Sequence, residues 1–87
     1  MKALFKDFSY YEDIITNKFD SQEKLIKQVL EIGFEVDEES SCLFFYHDAI
    51  KEYNVGDIIK CKGYYAIIEH KSYDIENNII EYIIREE

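Results

Sequence analysis

Apolar and polar positions along this chain follow a helical rhythm from about Tyr10 to Gly33 and an extended one after it. Leu25, Ile26, Val29 and Leu30 fall on one helical face, while Lys24, Lys27, Gln28 and Glu31 fall on the other. The spacing predicts a helix from about Ser21 to Ile32. Asp20 is placed to cap its start, with Glu23 three residues on in capping-box spacing. Gly33 suits the left-handed position after the last turn, from which Phe34 packs back on Val29.

Upstream, Ser9 and Glu12 repeat the capping-box spacing and predict a shorter helix near Tyr10 to Asn17. The first eight residues alternate apolar and charged side chains and therefore belong to the fold. They read as a strand over Ala3 to Phe8, although Leu4, Phe8, Tyr11 and Ile15 also fit one longer helical face.

Four segments after Gly33 carry the β signature of Ile, Tyr and Phe between turn residues: Cys42 to Tyr46, Asp57 to Cys61, Tyr64 to His70 and Asn78 to Ile84. Gly63 allows a tight hairpin, and Tyr73 through Asn78 suits a second turn. In the last segment Ile80, Tyr82 and Ile84 share one face, and Glu81 interrupts the other. The expected fold is α+β: an antiparallel β-meander of three to five strands packed against one or two short helices, in two layers.

Length changes this picture little. The 87 residues read as a single α+β domain, 1–87, with no Pro, no linker and no internal repeat. The eight Tyr and six Phe exceed what so small a core needs, so some are expected at the surface. No apolar run approaches the ~18 residues that cross a bilayer, and the N-terminus lacks a secretory h-region. Cys42 and Cys61 stand far apart without a CxxC pair, which favours reduced thiols and a cytoplasmic setting.

Charge changes it more. Nineteen acids against ten bases leave a net charge of −9, which repels nucleic acid and anionic lipid and favours basic partners. The acids are uneven. Glu35 to Lys60 holds seven acids against two bases, and Cys61 to Glu87 holds six against three.

The reactive residue types form no recognisable site. Of Cys42, His47, Cys61 and His70, only Cys42 and His47 approach the close pair spacing of a structural zinc site, while Cys61 and His70 flank a hairpin. Cys42, His47 and Asp48 have triad chemistry, but their acidic surroundings disfavour a thiolate. A phosphate-cradling glycine loop and a nucleophile elbow are both missing. The expectation is no catalytic residue, no metal and no cofactor.

An acidic surface interleaved with tyrosines has a different use. Carboxylates on a rigid sheet can occupy a lysine- and arginine-lined groove, and tyrosines can anchor them at low entropic cost. The residues expected to contact a partner are Glu35, Asp37, Glu38, Glu39, Tyr46, Tyr53, Tyr73, Asp74 and Glu76, on the assumption that loop and hairpin share a side.

In its short length, net charge of −9, Tyr-rich acidic composition and helix-plus-meander plan, the chain resembles the small acidic proteins that phages and mobile elements encode against host defence, anti-CRISPR proteins among them. The resemblance is one of class and carries no motif. It implies stoichiometric inhibition of a basic nucleic-acid-binding effector such as a CRISPR nuclease, in the host cytoplasm and without direct nucleic-acid or membrane contact. The alternative is a structural or regulatory subunit that pairs through a sheet edge, as a homodimer or within a complex.

Overall fold

A computed structural model describes residues 2–16 and 21–87. The elements run β1 (Lys2–Asp7), α1 (Phe8–Thr16), α2 (Gln22–Glu31), β2 (Glu35–Asp37), β3 (Cys42–Asp48), β4 (Ile58–Cys61), β5 (Tyr64–Asp74) and β6 (Ile79–Glu86). All six strands join one sheet in the order β2-β3-β1-β6-β5-β4. The α+β class and the two-layer plan hold, but the sheet is mixed, not an antiparallel meander. β1 pairs antiparallel with β3 and parallel with β6, and so occupies the centre. Strands distant in sequence pair there, where no turn marks the partnership.

Alternation divides the sheet into two faces. Ala3 and Phe5 of β1, Leu43 and Phe45 of β3, Ala66 and Ile68 of β5, and Ile80, Tyr82 and Ile84 of β6 form the core with Ile14, Val29 and Phe34. Phe5 lies flat between Phe45 and Tyr82, with ring centroids 4.9 and 5.1 Å away. Fully burying one such side chain contributes about 1.5–3 kcal/mol. α1 packs on β3 and β6, and α2 packs on α1 and β2. Among the described residues no helix covers the other face of the sheet, which carries Leu4, Lys6, Phe44, Tyr46, Ile79, Glu81 and Ile83.

Local chemistry explains the element ends. Ser21, not Asp20, caps α2, its Oγ accepting the Lys24 N–H at 3.2 Å; Asp20 lies outside the described residues. At the other end the Phe34 N–H donates to the Val29 carbonyl at 3.0 Å and the Gly33 N–H to the Leu30 carbonyl at 3.1 Å. This is a Schellman closure on a glycine at φ 103°, and it buries Val29 and Phe34 together. The cap of α1 is Asp7, not Ser9, with the Tyr10 N–H donating to Oδ1 at 2.9 Å. The expected end of that helix at Asn17 falls outside the described residues. Lys62 (φ 52°) and Gly63 (φ 87°) make the two-residue turn between β4 and β5.

The segment 49–57 crosses the helix-covered face near β5. The Gly56 N–H donates to the Ile68 carbonyl at 2.8 Å, and the Ile68 N–H returns to Asp57 at 2.9 Å. The Tyr53 N–H donates to the hydroxyl of fully buried Tyr82 at 3.0 Å.

Candidate functional site

The nine residues expected to meet a partner do not form one surface. Asp37 pairs with Cys42 just past the Asp7–Leu43 pair, at the C-terminal end of β1. Asp74 pairs with Ile79, which lies beside Lys2 at the N-terminal end of β1. The two acidic groups thus sit at opposite ends of the strands. They are separated along the strands by about 15–20 Å, and across the sheet by four strand spacings of ~4.8 Å.

At the hairpin end Asp74 is hydrogen-bonded within its own turn. Asp74 accepts from Asn77 Nδ2 at 2.8 Å and from the Asn77 N–H at 3.2 Å, and these bonds hold its carboxyl below the ordinary range. An irregularity between Ile68 and His70 resets the alternation of β5, so Tyr73 faces the helix-covered side and Asp74 the bare side. The Tyr73 hydroxyl bonds Glu52, which also lies 3.5 Å from Lys71. Glu76 is exposed in the turn. Tyr53 is half-buried against Phe5 and Tyr82 and serves the core, not a surface anchor. Tyr46 is exposed on the bare face, with the Lys2 ammonium 5.2 Å above its ring.

The other end is more coherent. Glu35 and Asp37 project from β2, which is an edge strand, and Glu38 and Glu39 follow in the turn. Asp37 Oδ1 accepts the Ser40 N–H at 3.0 Å, the principal cause of its lowered pKa. Glu35, Asp37 and Glu38 line a shallow groove with Ile26, Leu30, Val36 and Phe44. Leu30 is 52% exposed, although its helical position marks it for the core. α2 buries Val29 and half-buries Leu25 and Ile26, so the remainder of its apolar face opens onto this groove. The unpaired edge of β2 adds free backbone groups beside it. Sequence reading finds the acids here but not the groove, because the width of the apolar face of α2 is the only local signal.

The reactive residues stay apart. On β3 the alternation sends Cys42 to the bare side and His47 to the helix-covered side, so Cys42, His47 and Asp48 form no triad. Burial raises the pKa of both Cys42 and Cys61. Among the described residues no group of three or more His, Cys, Asp or Glu side chains could hold a metal ion. No helix among them is long and apolar enough to cross a membrane.

Compared with protein-family models, with curated proteins and with solved structures, the chain matches none.

Proposed function

We propose that this chain is a protein-binding inhibitor that sets its acidic β2 edge against a basic, nucleic-acid-binding effector. A CRISPR nuclease is the example its class resemblance supplies. The observation that carries this reading is the groove at β2, where Glu35, Asp37 and Glu38 stand beside the apolar side chains of Ile26, Leu30, Val36 and Phe44. Carboxylates steer the encounter and select a basic surface, while the apolar floor and the strand edge hold it. The protein acts by occupancy, in the cytoplasm of its host, and catalyses nothing.

The test is nucleic-acid cleavage by purified CRISPR nucleases, with this protein added before or after the guide and target. Inhibition that saturates at one equivalent and weakens with salt is the expected result. Undiminished cleavage, with no complex on gel filtration, would refute the reading for those effectors. A second reading, self-association, rests on the exposed Tyr46, Ile58 and Tyr65 of the bare sheet face. Sedimentation equilibrium decides it: a salt-resistant dimer would favour a structural subunit.

A further inference from the structure

A second concavity lies on the helix-covered side, between the end of β3, the edge strand β4 and the segment 49–57. It encloses about 250 Å³ and is lined by Phe5, Phe45, His47, Tyr53, Ile59, Lys60, Cys61 and Lys62. In a chain of net charge −9, no carboxylate among the described residues lines it. Its walls are the half-buried Tyr53 and Ile59, and its floor is the stacked Phe5–Phe45 pair.

Lys62 is the unusual member. It is half-buried at a left-handed turn position, and its ammonium sits 4.7 Å above the Phe45 ring centroid. Among the described residues the ion pairs engage Lys6, Lys71 and Arg85, and none engages Lys62. Lys60 sends its ammonium to the Tyr65 ring, 5.6 Å away, so Lys62 and His47 are the remaining basic residues along the cleft. Burial keeps the Cys61 thiol protonated, so it adds soft apolar surface and no competing negative charge.

The Lys62 ammonium rests between the Phe45 ring and Gly33 without an ion pair among the described residues, so it has unused hydrogen-bonding capacity, and a low-dielectric wall strengthens its attraction for an anion. We propose that this cleft binds a small planar aromatic anion, with the ring between Tyr53, Ile59 and Phe45 and the acid group on the Lys62 ammonium. The volume admits one ring with its acid group and little more. The acid could be a carboxylate or a phosphate; both share a planar apolar body and a terminal charge.

The experiment is an amide NMR titration of the whole 87-residue chain with benzoate, phenyl phosphate and neutral benzyl alcohol. Saturable shifts centred on Phe45, His47, Tyr53, Cys61 and Lys62 are expected with at least one anion. Benzyl alcohol should bind about tenfold more weakly, the equivalent of one modest charge interaction. The stronger anion identifies the acid group. Lys62→Met, which keeps an apolar stem over Phe45, should remove that preference, and Lys62→Arg should retain it. Shifts that do not saturate by ~10 mM, equal binding of benzyl alcohol, or unchanged anion binding by Lys62→Met would each overturn the proposal. If Lys62→Met fails to fold, the comparison of anion with alcohol on the unaltered chain decides it. The cleft is independent of the β2 edge, so either reading can fail without the other.

Discussion

Tyr64 donates its hydroxyl to Oδ2 of Asp7 at 3.0 Å and so joins the start of β5 to the end of β1. The other carboxylate oxygen caps α1 through the Tyr10 N–H. One fully buried carboxylate therefore fixes a strand, a helix and a distant hairpin. Burial raises the pKa of Asp7 despite both bonds, and that of Tyr64 is also pushed up, first by burial and then by Asp7.

This pair predicts a pH dependence with a definite sign. An acid whose folded pKa is raised stabilises the fold fully below its ordinary value, 3.8 for aspartate, and loses that contribution as pH rises through the folded pKa. Asp7→Asn keeps both hydrogen-bond positions without the charge. Measured by urea unfolding, the native chain should gain on Asp7→Asn as pH falls from neutral towards about 4. A difference that does not vary with pH would contradict the assignment. Asp7→Ala removes the cap and strands a half-buried hydroxyl, at a cost of about 2–4 kcal/mol.

The segment 49–57 depends on Tyr82 in a way that can be isolated. Tyr82→Phe removes only the hydroxyl that accepts the Tyr53 N–H. The expected cost is about 1–2 kcal/mol. Amide exchange at Tyr53 should accelerate far more than exchange in β1 or β6. Equal acceleration across the sheet would show that the hydroxyl holds the core and not the loop.

Gly33 is constrained twice. Its φ of 103° disfavours any side chain, and an added Cβ would stand 2.6 Å from the Lys62 ammonium. Gly33→Ala should cost about 1–2 kcal/mol through the backbone. The lysine end is flexible and will give way, so the Phe45 ring resonances should also shift as the ammonium leaves. Loss of stability with unmoved Phe45 resonances would separate the two effects.

Much of the fold is legible in the sequence because its signals are local. The Gly33–Phe34 closure, the Lys62–Gly63 turn and the Ile80, Tyr82 and Ile84 face all follow from spacing and residue type. The mixed sheet is not legible. β1 gains its central place from parallel pairing with β6 far along the chain, and β2 has only three residues. The cap of α1 is not legible either, because Asp7 ends a strand in the sequence pattern and only its contact with the Tyr10 N–H marks it as a cap. The proposed interface was half legible: acids show in sequence, but the strand register alone reveals that Glu38 and Glu76 lie at opposite ends of the sheet.

That separation makes the docking reading discriminating. If β2 is the contact, Glu35→Lys, Glu38→Lys and Glu39→Lys combined should slow association with the basic partner by about 10–100-fold and reduce its salt dependence. Asp37 is best changed to Asn, because its carboxylate also accepts the Ser40 N–H that shapes the β2–β3 turn. Glu76→Lys should leave association nearly unchanged, since it lies several strand spacings away at the other end. Leu30→Ser should instead speed dissociation, because Leu30 supplies apolar contact and no long-range field. Surface plasmon resonance at two salt concentrations resolves these rates. Equal effects from Glu38→Lys and Glu76→Lys would mean that net charge alone, and not the β2 edge, governs the encounter.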